Sequence, residues 1–150
     1  MAYPDSEHAA NMIGTKLAAN SSFTTALGSS SHIFFDAVPN ATTTQFPCFN
    51  GRWLSGNDLN TLNNEYRLIS RLTLLAVIVA IGGLSDNNLN AANYMDAVLV
   101  AQRGISHSYA SSTRGYNVWR EQAYPARRVV GQAGEIYYEV GGIYTVEIIP

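Results

Sequence analysis

The chain has 150 residues, 47% of them apolar and only 13% charged, with a net charge of −2 at pH 7. That length fits one domain, and the mild acidity argues against a dedicated nucleic-acid binder. The single cysteine, Cys48, excludes an intrachain disulfide and a thiolate metal cluster, which suits folding in a reducing cytoplasm.

Charged content is about half the usual ~25%, as expected of a protein that covers part of its surface with copies of itself or with partners. The N-terminal stretch is polar and lacks the apolar core of an export signal, so none is expected. The longest uncharged apolar run, Leu72 to Leu84, falls short of the ~20 residues needed to span a bilayer.

Taken in order, Asp5 or Ser6 can cap a first helix, with Glu7 well placed in its first turn. Ala10, Ile13 and Leu17 fall on one side of it, flanked by Ala9 and Lys16. Asn20-Ser21-Ser22 interrupts the helix, and Phe23 to Leu27 forms a short second turn ended by Gly28. A strand is expected over His32 to Val38 and another over Pro47 to Leu54. Ser55 to Asn64, rich in Asn and Gly, reads as a mobile surface loop.

Leu68 to Ile81 orders the rest. Its even positions are apolar nearly throughout, while its odd positions pass from Arg67, Ile69, Arg71 and Thr73 to Leu75, Val77, Val79 and Ile81. Read with period two, one face is always covered and the other is wet at first and covered later. A continuous apolar run does not disclose its period, so a buried helix is the alternative; β-branched enrichment and the stop at Gly82-Gly83 favour strand.

Ser85 then caps a helix expected over Asp86 to Arg103, with Ala91, Tyr94, Met95, Val98 and Ala101 as its packing stripe and Gly104 as its end. Ile105 to Gly115 reads as loop, Tyr116 to Tyr124 as strand, and Arg127 to Gly134 as a connection. Ile136 to Val140, Gly141-Gly142 and Ile143 to Ile149 read as a two-residue hairpin. The rival is one long strand with a glycine bulge. The fold class expected is α+β: a single, mostly antiparallel sheet packed by an N-terminal helix and one longer central helix.

Charge is segregated along the chain. Residues 1–66 balance at −3, residues 103–134 at +4 through five arginines against Glu121, and Glu135, Glu139 and Glu147 make the end −3. Arg120, Arg127 and Arg128 can be a solvated face, a patch between subunits, or a DNA contact. Reacting centres find no support. The three histidines have no partner at i+3 or i+4 on a confident helix, there is no Gly-x-Ser-x-Gly elbow, and the glycine pairs match no nucleotide-binding loop. No catalytic residue, metal or cofactor is therefore expected.

Particular runs narrow the reading: Phe23-Thr-Thr-Ala-Leu-Gly28 leading into Ser31-His-Ile-Phe-Phe-Asp-Ala-Val-Pro39, then Gln45-Phe-Pro-Cys-Phe49, the strand Arg71 to Val79, and the closing Tyr137-Tyr-Glu-Val-Gly-Gly-Ile-Tyr-Thr-Val146. Over roughly residues 10–148 the chain resembles the tail-terminator (tail-completion) family of tailed bacteriophages. The Asn-rich stretch 55–64 and segment 103–134 lie outside the match.

The resemblance implies a non-enzymatic structural protein of the virion neck. Copies would form a ring, expected to be hexameric, that caps the tail tube, ends its polymerisation and offers a surface to the head-side connector. Its partners would be itself, the tube protein and the connector, with no membrane, and with DNA only passing through the lumen. A neck adaptor or head-completion protein is the nearest alternative, and a small nucleic-acid-binding protein a distant one.

A ring needs two different contact patches. The candidates are the basic segment (Arg114, Arg120, Arg127, Arg128), the half-wet strand residues Arg67 and Arg71, and the acidic Glu135, Glu139 and Glu147.

Overall fold

A computed structural model describes residues 5–36, 39, 44–60, 68–131 and 133–150, with backbone alone at 57–60 and 68. Helix α1 (Asp5–Ala18) buries His8, Ala9, Met12, Ile13 and Leu17, a stripe one residue off the expected centre, since Ala10 is only half-buried. Asp5 and Glu7 in its first turn and Lys16 in its last suit the helix dipole. The Asn20 side chain accepts from the Phe23 N–H at 2.9 Å and starts α2 (Ser21–Leu27). Gly28, at φ 98°, closes it in the left-handed conformation.

Six strands follow: β1 (Ile33–Phe35), β2 (Cys48–Asn60), β3 (Leu68–Ile81), β4 (Arg103–Tyr109), β5 (Ser112–Val130) and β6 (Ile136–Ile149), with α3 (Asp86–Val100) between β3 and β4. They form one sheet in the order β1-β2-β3-β6-β5-β4. The expected class needs correction. The sheet is mixed, because β1 runs parallel to β2 with Ile33 opposite Phe49, and a parallel neighbour requires the chain to cross over between them. Strand hydrophobicity reports burial, not direction.

Nor is there one longer central helix. At 14 and 15 residues α1 and α3 are near equals, and α2 joins them, its Phe23 and Leu27 fully buried.

Helix α3 starts as its sequence indicates. Ser85 accepts from the Asn88 N–H at 3.2 Å and Asn88 answers by accepting from the Ser85 N–H at 2.9 Å. It buries Ala91, Met95, Val98 and Leu99, while Tyr94 stays exposed. It stops at Val100, short of Arg103, because the Gln102 carbonyl accepts the Val118 N–H of β5 at 2.8 Å. Arg103 and Gly104 therefore already belong to β4.

Four other expectations fall to strand. Residues 55–60 extend β2 against β3 beyond a bulge at Trp53/Ser55; residues 61–64 lie outside the described set, as do Ala37 and Val38 of the first expected strand. Segment 105–115 forms β4 and the start of β5, joined by a two-residue turn whose Ala110 and Ser111 have φ of 50° and 64°. Positive φ at both centres is the hairpin-turn geometry that usually selects Gly or Asn, so Ala-Ser carries no turn signal. Residues 127–130 continue β5, since Pro125 sits in the register shift between Tyr124 and Arg127, where no ladder bond is lost.

The fourth is the closing hairpin. Strand β6 runs unbroken through Gly141-Gly142, and neither glycine has positive φ. Gly141 pairs with Val77 of β3 and Tyr124 of β5, and a Cβ on it would sit 1.9 Å from the Ala76 carbonyl oxygen. The glycine serves close approach between strands rather than a turn.

The two faces of β3 behave as its pattern indicates. Leu74, Ala76 and Ile78 lie under the helices with Phe49, Tyr116, Val118, Tyr144, Val146 and Ile148. On the opposite face Arg71 is exposed and Thr73 half-buried, then Leu75, Val77 and Val79 are buried with Cys48, and half-buried Phe34, Phe46 and Ile143 pack against them. Ile81 departs from the pattern at 40% exposed.

Candidate subunit interface

The sheet face away from the helices divides into a wet half and a dry half. In the wet half register places Arg71, Glu147 and Asn117 side by side on β3, β6 and β5. Arg71 Nε donates to Glu147 Oε2 at 3.1 Å, and Asn117 Nδ2 donates to Glu147 Oε1 at 3.1 Å. The Arg71 guanidinium also lies 5.9 Å from the Trp119 ring centroid. Trp119 Nε1 and Thr145 Oγ1 both donate to Glu121 Oε1, at 2.6 and 2.7 Å.

At the edge of the dry half Glu139 is buried, receiving Arg52 Nη2 at 3.2 Å and the Tyr124 hydroxyl at 3.3 Å. Burial, and then the Glu139 charge, push the Cys48 thiol up to about 12, so it is held as an inert thiol.

Two further candidates, Arg114 and Arg120, are engaged by side chains of their own chain. Arg114 pairs with Asp5, which also accepts from the Ser70 hydroxyl. Arg120 reaches Asp96 at 3.5 Å, and Asp96 accepts from the Tyr144 hydroxyl at 2.6 Å. Burial first, then that hydrogen bond, raise the Tyr144 phenol far above its ordinary range. The Glu135 carbonyl accepts the Gly131 N–H at 2.7 Å and closes the β5–β6 connection. Arg67 lies outside the described residues.

Arg127 and Arg128 differ. Both are exposed, and neither has a carboxylate at salt-bridge distance among the described residues. Arg127 packs 5.5 Å from the Tyr124 ring centroid. They stand on the outer side of β5, which β4 pairs only as far as Asn117. Two register shifts, Pro125 and the paired arginines blunt that edge against strand addition. At its end Val130 is 58% exposed and Ile136, its cross-strand partner, 39%. Val130 and Ile136 share one face of the sheet with Arg128, while Arg127 lies on the other face, across from Glu139.

Helix α1 leaves a groove of about 560 Å³ between itself, β1 and β4, lined by Glu7, Asn11, Gly14, Ile33, Phe35 and Tyr109 among others. Behind it lies a cluster that the i+3/i+4 test for histidines could not find, because its members come from α1, β4 and β5. Fully buried His8 meets the Tyr116 hydroxyl through Nδ1 and the Ser112 carbonyl through Nε2 at 3.1 Å. His107 meets Asn11 Oδ1 at 2.8 Å, its ring 5.8 Å from that of His8. Burial, then His8 and Lys16, lower the His107 pKa. With both nitrogens of His8 occupied inside the core, the cluster braces α1 against the sheet. Among the described residues no three His, Cys, Asp or Glu side chains gather as a metal site requires, and no helix is long and apolar enough to cross a membrane.

No protein-family model matches this chain, and no curated protein matches it in sequence. Among solved structures, a chain of the virion of a native gene transfer agent particle matches 99% of this chain and 100% of its own length, with a TM-score of 0.59 and 11% identity. At that identity the likeness establishes a shared fold.

Proposed function

We propose that this chain is a structural subunit of a phage-like virion and acts as its tail terminator. Copies form a ring on the open end of the tail tube, end its polymerisation by offering a surface that no further tube subunit can join, and present the tail-side face for joining to the head. The observation that carries the reading is the end-to-end fold likeness to a virion chain. The surface is consistent with it: among the described residues the histidines, Cys48 and most carboxylates are engaged in packing or pairing, and exposed Arg127 and Arg128 and a groove beside α1 remain. The partners are further copies, the tube protein and the head-side connector; DNA meets the protein only in the ring lumen.

The test is tube-protein polymerisation with and without this chain, followed by electron microscopy. Tubes of finite length carrying a ring at one end are expected. Rings that bind a portal or connector and leave tube growth untouched would instead make the protein a neck adaptor or head-completion protein. No ring under any of these conditions would defeat the reading.

A further inference from the structure

Helix α1 is held to the sheet in two different ways along its length. Its second half is seated by apolar side chains, with Met12, Ile13 and Leu17 fully buried. Its first half, residues 5–11, brings only Ala9 and half-buried Ala10 as apolar packing. Polar contacts hold it instead. Asp5 bonds Arg114 and the Ser70 hydroxyl, His8 bonds the Tyr116 hydroxyl and the Ser112 carbonyl, and Asn11 bonds His107.

His107 is half-buried and within reach of water, and imidazole is the side chain that ordinarily gains charge in mild acid. An amide oxygen only accepts, so the neutral ring donates from Nε2 to Asn11 Oδ1 at 2.8 Å. Among the described residues the groups around the ring disfavour a second proton. From β5, Arg114 lies directly opposite in the register, with Tyr116 bonded to His8 beyond it. From α1, Lys16 and the His8 ring, 5.8 Å away, oppose the added charge. Asp5 is committed to Arg114 and Ser70, and Glu7 is exposed on the groove wall. Its own strand β4 adds Tyr109 and the cation Arg103. Like charges directly opposite on paired strands are unfavourable. Burial first, then His8 and Lys16, hold the His107 pKa below its ordinary value.

We propose that His107 is an acid-operated latch on the first half of α1. Once protonated, its ring turns away from Arg114 and α1 toward water, and Asn11 loses its partner. Residues 5–11 then separate from β4 and β5, while Met12, Ile13 and Leu17 keep the second half seated. The direction follows from linkage: a proton held more tightly in the released form than in the seated one favours release as pH falls below ~6.5. Opening also takes away one wall of the groove. Glu7, Ala10 and Asn11 move off and leave Ile33, Phe35 and Tyr109 open to water. The latch belongs to the single chain and operates whether or not copies assemble.

The test is residue-resolved hydrogen exchange of the full chain at about pH 7.5 and about pH 5.5, either side of the imidazole range, with each rate corrected for its intrinsic pH dependence. The helical amides of residues 9–11 are expected to lose about tenfold in protection in acid, the factor that one pKa unit between seated and released forms carries. Those of residues 16–18 and of β3 should hold. His107→Gln keeps a donor where Nε2 stands but cannot take up the proton, so its α1 should be equally protected at both pH values. An acid step that persists in His107→Gln would assign the step to carboxylates such as Asp5 and overturn the latch. An equal loss across α1 and β3, the mark of whole-chain loosening, would overturn it too, as would a wild-type chain with no step at all.

Discussion

His8, in the second turn of the first helix, meets the hydroxyl of Tyr116 on β5, 108 positions along the chain. The carbonyl of Ser112 on the other side of the ring can only accept, so Nε2 carries a proton and Nδ1 can accept from the phenol. Tyr116→Phe would leave that buried nitrogen without a donor. The expected cost is about 1–3 kcal/mol in urea unfolding. Adding His8→Leu should return part of it, giving a coupling of about 1 kcal/mol or more. Strict additivity would mean that the contact contributes nothing specific.

Gly141 tests the continuous strand directly. If it lay in a hairpin turn, alanine would cost about 1 kcal/mol. In the close approach seen here a Cβ would overlap the Ala76 carbonyl and Val77 Cα, at 1.9 and 2.8 Å. Gly141→Ala is therefore expected to cost about 3 kcal/mol or to prevent folding. A fall in Tm of only a degree or two would contradict the β3–β6 register.

The turn at Ala110-Ser111 is a place where stability can be gained. Both residues sit at positive φ, which costs an L residue about 1 kcal/mol or more relative to glycine. Ser111→Gly should raise stability by about 1 kcal/mol, or Tm by about 2–4 °C for a domain of this size. An unchanged or lower Tm would show that the strain is absent or balanced by a contact of the serine.

Alkaline pH should unfold the protein progressively. Burial holds Cys48, Tyr116 and Tyr144 protonated above their ordinary values of 9.0, 10.0 and 10.0. In the unfolded chain these groups ionise first, so their contribution is complete below pH ~9 and is lost as pH rises toward the folded values. Each group steepens the decline by about 1.4 kcal/mol per pH unit within its own window. Tyr144→Phe should remove one such slope above pH ~10 while costing about 1 kcal/mol at neutrality, because Asp96 keeps Arg120. Parallel stability curves for variant and wild type between pH 9 and about 11.5 would refute the assignment.

His107 responds in the opposite direction. The lowered His107 pKa means that its contribution is complete above pH ~6.5 and is lost as pH falls, because the unfolded ring takes up its proton first. His107→Gln should flatten the acid side of the stability curve. An unchanged acid limb would assign that limb to the carboxylates instead.

The two-faced pattern of Leu68–Ile81 forecast where its outer face turns dry, and Ser85 and Gly28 bounded their helices, because period and capping are decided by residues within a turn or two of each other. The parallel entry of β1, the passage of β6 through Gly141 and the hairpin at Ala110-Ser111 depend on which distant strand lies alongside, and no local signal records that. The same holds for charge. A +4 segment looked available for partners, but folding set Arg114 against Asp5 and Arg120 against Asp96 and left Arg127 and Arg128 outside. Composition counts charges, whereas only the packing of helices on strands decides which of them are already neutralised.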